Sequence, residues 1–193
     1  MTVQPCTVMC MSPERLDRED WLEAGLEALE QGGVEAVAVV PLARSLGVTR
    51  GSFYWHFDSR GELLDGVLER WERIHSDEVL DALQAIDDPR RRLAALFERS
   101  ASKPPSIFVR LLDAADREPS VKAVLERSAR RRIDVLAQAC REAGMTPAEA
   151  RRRATLCYAA YVGLARMTAD GSLDVSPRER AALSRHLLAT LVP

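Results

Sequence analysis

Apolar side chains recur every three or four residues along most of the chain, and glycine, proline and capping residues fall between these periodic segments. The first segment begins at Asp17, an expected N-cap with Asp20 at the third helical position, and ends at Gly32-Gly33. Further helices are predicted at about residues 59–85, 89–102, 106–116, 120–143, 147–169 and 177–191. Because no strand-like alternation is present, the pattern predicts an all-α fold.

Two of the later helices begin with the same four-residue signal. Thr146 and Ser176 are each followed by a proline and, three positions on, by a glutamate. This pattern is typical of a capping box with proline at the first helical position. Both helices are therefore expected to begin at the proline.

Two short helical segments meet at the tripeptide Leu46-Gly47-Val48, where Gly47 is expected to adopt a left-handed conformation. The second of them is expected to run from Thr49, as its N-cap, to about Phe57. The residues expected to join the two segments are apolar: Leu42, Ala43, Leu46, Val48 and Phe53. This spacing is that of a helix-turn-helix, whose second helix enters the major groove of DNA.

The other side of the second helix carries the candidate DNA contacts. Arg50 could pair with guanine O6 and N7, and Ser52 could bond a base or a phosphate. Tyr54, His56 and Arg60 suit phosphate contacts. The complete set of predicted DNA-binding residues is Thr49, Arg50, Gly51, Ser52, Tyr54, His56 and Arg60.

From Leu16 to Leu68 the sequence resembles the TetR/AcrR-type family of bacterial transcriptional regulators. The residues that carry the resemblance are Leu42-Ala43-x-x-Leu46-Gly47-Val48-Thr49-Arg50-Gly51-Ser52-Phe53-Tyr54-Trp55-His56-Phe57, then Arg60 and Leu63-Leu64. The resemblance implies that Arg50, Gly51 and Ser52 face bases and that Tyr54 and His56 clamp the DNA backbone.

Two positions depart from the family pattern. Arg60 stands in place of the usual lysine at the start of the fourth helix, which keeps the charge. Val39-Val40-Pro41 stand where a serine or threonine cap usually opens the second helix. A different interpretation of the motif also stays open, because residues 54–57 could be an aromatic core strip on a short helix.

The resemblance also implies a domain plan and a mechanism. Residues 1–12 are predicted to be a disordered arm, 13–60 a helix-turn-helix domain, and 61–193 an effector-binding and dimerisation domain. The implied function is a cytoplasmic homodimeric regulator, in the usual case a repressor, that a small-molecule effector releases from a palindromic operator. Activation instead of repression stays open.

Candidates for the effector and dimer sites come from the second domain. The effector candidates are Trp71, His75, Phe97, Phe108, Leu111 and Leu112. The dimer candidates recur at helical spacing and are Leu156, Cys157, Ala160, Tyr161, Leu164, Leu183, Leu187 and Leu191. Both sets could instead be ordinary core. The runs 130–132 and 151–153 are three arginines each and are expected to be solvated helix faces or interface pairs.

Composition and charge narrow the function only slightly. The 193 residues are 47% hydrophobic and 29% charged, with a net charge of −2. The segment 38–60 nevertheless carries Arg44, Arg50 and Arg60 against Asp58, which is 3 − 1 = +2. No apolar run approaches the roughly 18 residues that cross a bilayer, so no membrane partner is expected.

Two alternative functions stay open. Ser100-Ala101-Ser102-Lys103 has the S-x-x-K spacing of serine acyl-enzymes, without the companion motifs. A thiol sensor could use Cys140 or Cys157, although buried helical cysteines are more often inert. The four cysteines and three histidines have no metal-site spacing, so no metal or cofactor is expected.

Overall fold

The computed structural model describes residues 16–102 and 106–191 of the protein. The helices are α1 (Arg18–Gly32), α2 (Val39–Ser45), α3 (Arg50–Phe53), α4 (Arg60–Glu72), α5 (Glu78–Gln84), α6 (Pro89–Ser102), α7 (Ser106–Ala114), α8 (Pro119–Glu142), α9 (Pro147–Ala169) and α10 (Pro177–Leu191). A short 3-10 turn, Val34–Ala36, follows α1. The described residues contain no strand, and the predicted all-α class is confirmed. The predicted arm 1–12 lies outside the described residues.

Side-chain caps set the predicted helix starts. Asp17 accepts hydrogen bonds from the backbone nitrogens of Glu19 (2.8 Å) and Asp20 (3.1 Å), while the Asp20 carboxylate accepts one from the Asp17 nitrogen (2.7 Å). Thr146 and Ser176 each accept a bond from the backbone three residues on, at 3.3 Å and 3.2 Å. Each cap satisfies a nitrogen that has no partner inside its helix.

The long helix predicted at about residues 59–85 is interrupted by one irregular turn. A π-helical segment, Arg73–Asp77, joins α4 to α5. Its Ser76 is buried, and the Ser76 hydroxyl lies 2.7 Å from the Ser128 hydroxyl of α8. The apolar spacing did not predict this turn, because a π turn keeps the helical direction and inserts a single residue.

The main core crosses the predicted domain boundary at residue 60. It includes the large buried side chains of Trp21, Phe53, Phe57 and Trp71, together with Phe108 of α7. Residues of α8 and α9 complete it. The two predicted domains therefore share one apolar cluster, which couples the helix-turn-helix mechanically to α7 and α8.

Two glycines allow α1 and α4 to approach closely. A Cβ atom on Gly25 would lie 2.5 Å from Cγ2 of Val67, and one on Gly66 would lie 2.7 Å from Cδ2 of Leu22. Both distances are shorter than carbon atoms tolerate. The position of α4, the helix that follows the helix-turn-helix, therefore depends on these two glycines.

Candidate nucleic-acid interface

The turn between α2 and α3 has the conformation that the sequence predicts. Gly47 has a φ of +69°, and the Val48 backbone nitrogen donates to the Ala43 carbonyl (2.9 Å). Leu42, Ala43 and Phe53 are buried in the core. The two short helices are therefore fixed to each other by apolar contacts on one side, which leaves the opposite side of α3 outward.

The second helix is shorter than predicted. Regular α-helix covers Arg50–Phe53 only, and the next turn is closed by tighter bonds from Tyr54 to the Gly51 carbonyl (3.2 Å) and from His56 to the Phe53 carbonyl (2.9 Å). Thr49 precedes the helix with extended backbone, but its side chain makes no capping bond. Gly51 has a low helix propensity, which helps to explain the early end of the α-helix.

The aromatic residues of this segment divide into buried anchors and exposed side chains. The rings of Phe53 and Phe57 stack at 5.4 Å, and Trp21 meets Phe53 edge-on at 5.4 Å. Tyr54 is 51% exposed and Trp55 is 81% exposed. The interpretation of residues 54–57 as an aromatic core strip is thus right for Phe57 and wrong for Tyr54 and Trp55, which project outward.

Trp55 is a surface residue that the sequence interpretation left out of the candidate site. Since Phe53 and Phe57 are four positions apart, they share one side of a helical turn. The residue midway between them must then face away from the core. That spacing was the available signal, and Trp55 extends the exposed surface beside Tyr54.

The exposed surface is polar and carries positive charge. An Arg50 Nη2 donates to the Tyr54 hydroxyl (2.9 Å), and the guanidinium lies 5.7 Å from the Tyr54 ring centre. Arg44 and Arg50 are both exposed, and neither forms an ion pair within the part of the chain that the structure describes. Of the other predicted contacts, Thr49 and Gly51 are exposed, while Ser52 and His56 are half-buried. A phosphate or a base edge could meet this surface directly.

Arg60 lies apart from that surface and makes contacts within the protein. Its Nε and Nη2 donate to the carbonyls of Val37 (2.9 Å) and Val34 (2.8 Å). Its Nη1 lies 3.2 Å from a carboxylate oxygen of Glu118, just before α8. The guanidinium thereby ties the start of α4 to the 3-10 turn and to α8. Its predicted phosphate contact stays a prediction.

The effector candidates lie mostly in the core. Those that are buried in the main cluster are Trp71, Phe108 and Leu111, with Leu112 packed against it. His75 is exposed and its ring lies 6.1 Å from that of Trp71. The side chain of Phe97 lies outside the described residues.

The dimer candidates divide into an exposed set and a buried set. Leu156 is 57% exposed on α9, and Leu183 is 38% exposed on α10. Three more are half-buried: Ala160, Leu164 and Leu187. Cys157, at 2% exposed, packs inside the protomer against α8, so it cannot contact a partner in this conformation. Tyr161 turns toward Phe108, at 5.4 Å between ring centres. The side chain of Leu191 lies outside the described residues.

The cysteine chemistry is governed by burial. Desolvation raises the pKa of the Cys140 thiol and raises that of Cys157 to about 12, where the nearby Cys140 adds to the effect. Both thiols therefore stay protonated near neutral pH. The S-x-x-K residues 100–103 lie outside the described side chains. No group of three metal-ligating side chains is found in the described parts of the chain.

None of the described helices is both long enough and apolar enough to cross a bilayer. Most of the arginines in the two arginine runs form ion pairs within the chain. Arg131 contacts Asp77 and Asp81 at 2.8 Å each, and Arg153 contacts Glu149 at 2.6 Å. Arg132 instead turns toward the aromatic rings of Phe108 and Tyr161.

Comparison with known proteins finds similarity to bacterial regulators in the part of the chain that contains the helix-turn-helix. Residues 22–67 match the family described as "Bacterial regulatory proteins, tetR family". The HTH-type transcriptional regulator ArpR of Pseudomonas putida is 31% identical over 85 residues, which is 42% of this chain and 40% of that protein. The class D tetracycline repressor of Escherichia coli is 34% identical over 68 residues, or 35% of this chain and 31% of that protein. The chain thus spans at most 40% of either relative.

The likeness to solved structures extends over most of the fold. A crystal structure of a Saccharomonospora viridis protein in complex with choline superposes with a TM-score of 0.77 and 21% identity. The superposition covers 89% of this chain and 95% of that one. The helical architecture after residue 67, which the family match does not reach, is therefore also shared with a known protein.

Proposed function

We propose that the chain, whose residues 22–67 match the TetR family of bacterial regulatory proteins, regulates transcription in the cytoplasm by binding operator DNA as a homodimer through the exposed surface of α3. The observation that carries this proposal is the division of residues 53–57. Phe53 and Phe57 anchor the segment in the core, while Arg50, Tyr54 and Trp55 project from it. The relatives are regulators by name, which disfavours the helical-enzyme alternative.

The proposed DNA contacts are of two kinds: some recognise bases, and others position the protein on the DNA backbone. Arg50 has guanidinium nitrogens left over after its single bond to Tyr54, so it can still pair with guanine O6 and N7 in the major groove. Tyr54 and Trp55 present rings and polar hydrogens at the edge of this surface, where sugars and phosphates lie. Arg44, at the end of α2, adds a charge that attracts phosphate at longer range.

Dimerisation supplies a second copy of the short helix α3. Leu156 and Leu183 expose apolar surface on α9 and α10, the last two helices. In a two-fold dimer these helices would form a four-helix bundle, and the two α3 surfaces would face half-sites about one helical turn apart. Two copies are needed because a helix of four residues offers too few base contacts for a unique site.

The shared core supports control of DNA binding by an effector. Arg60 links α4 to Glu118, and α7 packs against α1, so a shift of α7 or α8 is felt at the helix-turn-helix. A small molecule that binds best when α4 is displaced would move the two α3 helices of the dimer apart and release DNA. Release of DNA by an effector favours a repressor. The class D tetracycline repressor, one of the similar proteins, is a repressor by name.

The experiment that tests the proposal is selection of bound duplexes from a random library with the purified full chain. We expect a two-fold symmetric sequence and complete loss of enrichment with Arg50→Ala and Tyr54→Ala combined. Footprinting upstream of the protein's own gene would then show the same sequence protected. Enrichment of no sequence, with correctly folded protein, would contradict the proposal.

The dimer is tested separately by Leu183→Glu, since a charge on an exposed apolar face blocks association without filling the core. Sedimentation should show a dimer for the wild type and a monomer for the variant, and the monomer should lose most of its affinity for the selected duplex. Lys122→Glu, an exposed change on α8, serves as the control and should remain dimeric.

A further inference from the structure

Arg132 differs from Arg127 and Arg131, two other arginines of α8. Arg131 is neutralised by Asp77 and Asp81, and Arg127 lies 2.8 Å from Glu72. Arg132 forms no ion pair with any carboxylate in the described parts of the chain, although it is half-buried. A partly buried cation without a counter-ion is costly unless something else satisfies it.

The contacts of Arg132 hold its guanidinium in place without neutralising it. One Nη2 donates to the His75 carbonyl (3.1 Å) and to the Ser76 hydroxyl (3.3 Å), both in the π-helical segment. The guanidinium carbon lies 5.7 Å from the ring centres of Phe108 and of Tyr161. Rings attract the cation modestly and carry no opposite charge. π-helical turns are frequent at functional sites, and this one supplies both oxygens.

Two tyrosines belong to the same cluster: the Tyr161 ring faces the guanidinium, and Tyr158 lies beside Tyr161. Tyr158 and Tyr161 are neighbours, with ring centres 6.2 Å apart. Neither hydroxyl is hydrogen-bonded to any residue that the structure describes. Burial raises the pKa of Tyr158, although Arg132 acts in the opposite direction, so this hydroxyl stays protonated and able to donate. The cluster therefore offers unused donors among aromatic faces.

The cluster is open to solvent on one side. Arg132, Tyr158 and Tyr161 are only half-buried, and His75 is exposed. Phe108 closes the inner side, where it belongs to the main core. A ligand could therefore reach the guanidinium without unfolding a helix, and its body would lie on the aromatic rings.

We propose that Arg132 and the rings around it bind an organic carboxylate with a flat aromatic body, and that this compound is the effector of the regulator proposed above. The ligand should carry one negative charge, because Arg127 and Arg131 of the same helix are already paired with carboxylates. Arg132 would bond the carboxylate, a tyrosine hydroxyl would donate to it, and the half-buried ring of Tyr158 or Tyr161 would stack on the body. The effector role rests on the proposed function, so it is tested separately from ligand binding at the site.

The first experiment compares probes on the wild-type protein by calorimetry. 2-Naphthoate and 2-naphthamide have the same flat body and differ in charge, and choline has the opposite charge. We expect 2-naphthoate to bind about 10- to 100-fold more tightly than 2-naphthamide, the range of a charge-assisted hydrogen bond. Choline should not bind. Equal affinity for the two naphthalene compounds would overturn the proposal without any variant.

The second experiment uses variants. Arg132→Gln should lose the preference for 2-naphthoate, whereas Arg130→Gln, a change at an exposed neighbour in the same helix, should keep it. Because Arg132→Gln also removes two internal hydrogen bonds, Arg132→Lys is measured beside it. The lysine keeps the charge and should keep part of the preference. An equal loss in Arg130→Gln and Arg132→Gln would overturn the assignment.

DNA binding by the ligand-free protein separates the two proposals. If the protein binds its selected duplex and does not distinguish 2-naphthoate from 2-naphthamide, the carboxylate site is wrong and the proposed function stands. If it binds 2-naphthoate through Arg132 and no duplex, the proposed function is wrong and the site stands. Saturating 2-naphthoate should release the duplex, and binding without release would overturn the effector role.

Discussion

At the scale of single residues, Arg50 and Tyr54 share a hydrogen bond on the outer side of α3, yet they suit different parts of a duplex. Arg50→Ala should relax the preference at one base position, at a cost of about 1–3 kcal/mol on the preferred sequence only, because a base contact is lost. Tyr54→Ala should weaken binding to every sequence, because a positioning contact is lost. Fluorescence anisotropy with the selected and a scrambled duplex measures both.

Tyr54→Phe is the control for this pair, since it keeps the ring and removes the hydroxyl that Arg50 contacts. If the hydroxyl orients Arg50, this variant should lose part of the sequence preference and little of the non-specific affinity. Equal losses on selected and scrambled DNA for both Arg50→Ala and Tyr54→Ala would contradict the roles given to them.

Gly47 is the one residue of the turn whose backbone needs a positive φ, at +69°. A Cβ there would meet no atom within 4 Å, so the cost of Gly47→Ala is conformational, about 1–2 kcal/mol. Gly61→Ala, at the start of α4 with ordinary contacts, should stay neutral or stabilise by up to about 1 kcal/mol. Urea unfolding of the two variants checks the difference, and equal stabilities would refute a left-handed turn.

At the scale of elements, Arg60 connects α4 to the turn after α1 and to α8. Arg60→Ala removes two bonds to carbonyls and should lower the free energy of unfolding by about 1–3 kcal/mol without DNA present. Arg44→Ala, at an exposed position, should change it by less than about 0.5 kcal/mol. Thermal unfolding that is unaffected by Arg60→Ala, alongside weaker DNA binding, would mean that Arg60 acts on phosphate alone.

The contact between α1 and α4 depends on the absence of a side chain at residue 25. Gly25→Ala places a methyl group against Cγ2 of Val67, a stiff β-branched side chain, and should cost about 1–3 kcal/mol. The double variant Gly25→Ala, Val67→Ala should be more stable than the two single effects add up to, because the clash is gone. Additive effects would show that the helices separate freely. Gly163→Ala, inside α9 with no atom within 4 Å, is the control and should stay neutral or stabilise by up to about 1 kcal/mol.

Elements with local signals could be predicted, and those that depend on distant partners could not. The caps at Asp17, Thr146 and Ser176 lie beside the helix starts that they set, so the sequence revealed them. The π-helical turn at residues 73–77 has no such local signal. Arg60 and Arg132 find their partners 23 to 58 residues away in the chain, and no spacing rule connects them.

The candidate site shows the same division. Arg50 and Tyr54 were predicted because their motif is contiguous and its polar side faces away from the apolar seam. Trp55 was missed because a tryptophan in an aromatic run was weighed as core, although the four-residue spacing of Phe53 and Phe57 indicates that the residue midway between them faces outward. Cys157 was placed on the dimer face by periodicity, which cannot tell a helix's inner contact from its outer one.

At the scale of the whole molecule, the thiol-responsive alternative depends on how easily the two inner cysteines ionise. With Cys6 and Cys10 replaced by serine, iodoacetamide at pH 8 should modify the folded protein far more slowly than the urea-unfolded one. The reason is that burial raises the pKa of both remaining thiols, that of Cys157 to about 12. Fast modification of the folded protein, with release of DNA, would favour the thiol sensor.

The raised pKa of Cys157 predicts how the free energy of unfolding depends on pH. Folded Cys157 holds its proton more tightly than the unfolded chain does, whose thiol has the ordinary value of 9.0. Stability from this group is therefore fully present below about pH 9 and is lost as the pH rises toward about 12. Cys157→Ala should flatten that alkaline loss in urea unfolding, and an unchanged slope would contradict the burial.

The central claim, that the outward side of α3 meets DNA, is tested most directly by the accessibility of Trp55. The chain has three tryptophans, of which Trp21 and Trp71 are buried. Acrylamide should therefore quench mainly Trp55, and Trp55→Phe should remove that quenched component. Saturating selected duplex is predicted to protect Trp55 from acrylamide several-fold. Duplex that binds, by anisotropy, while Trp55 stays as accessible as in the free protein would contradict the claim.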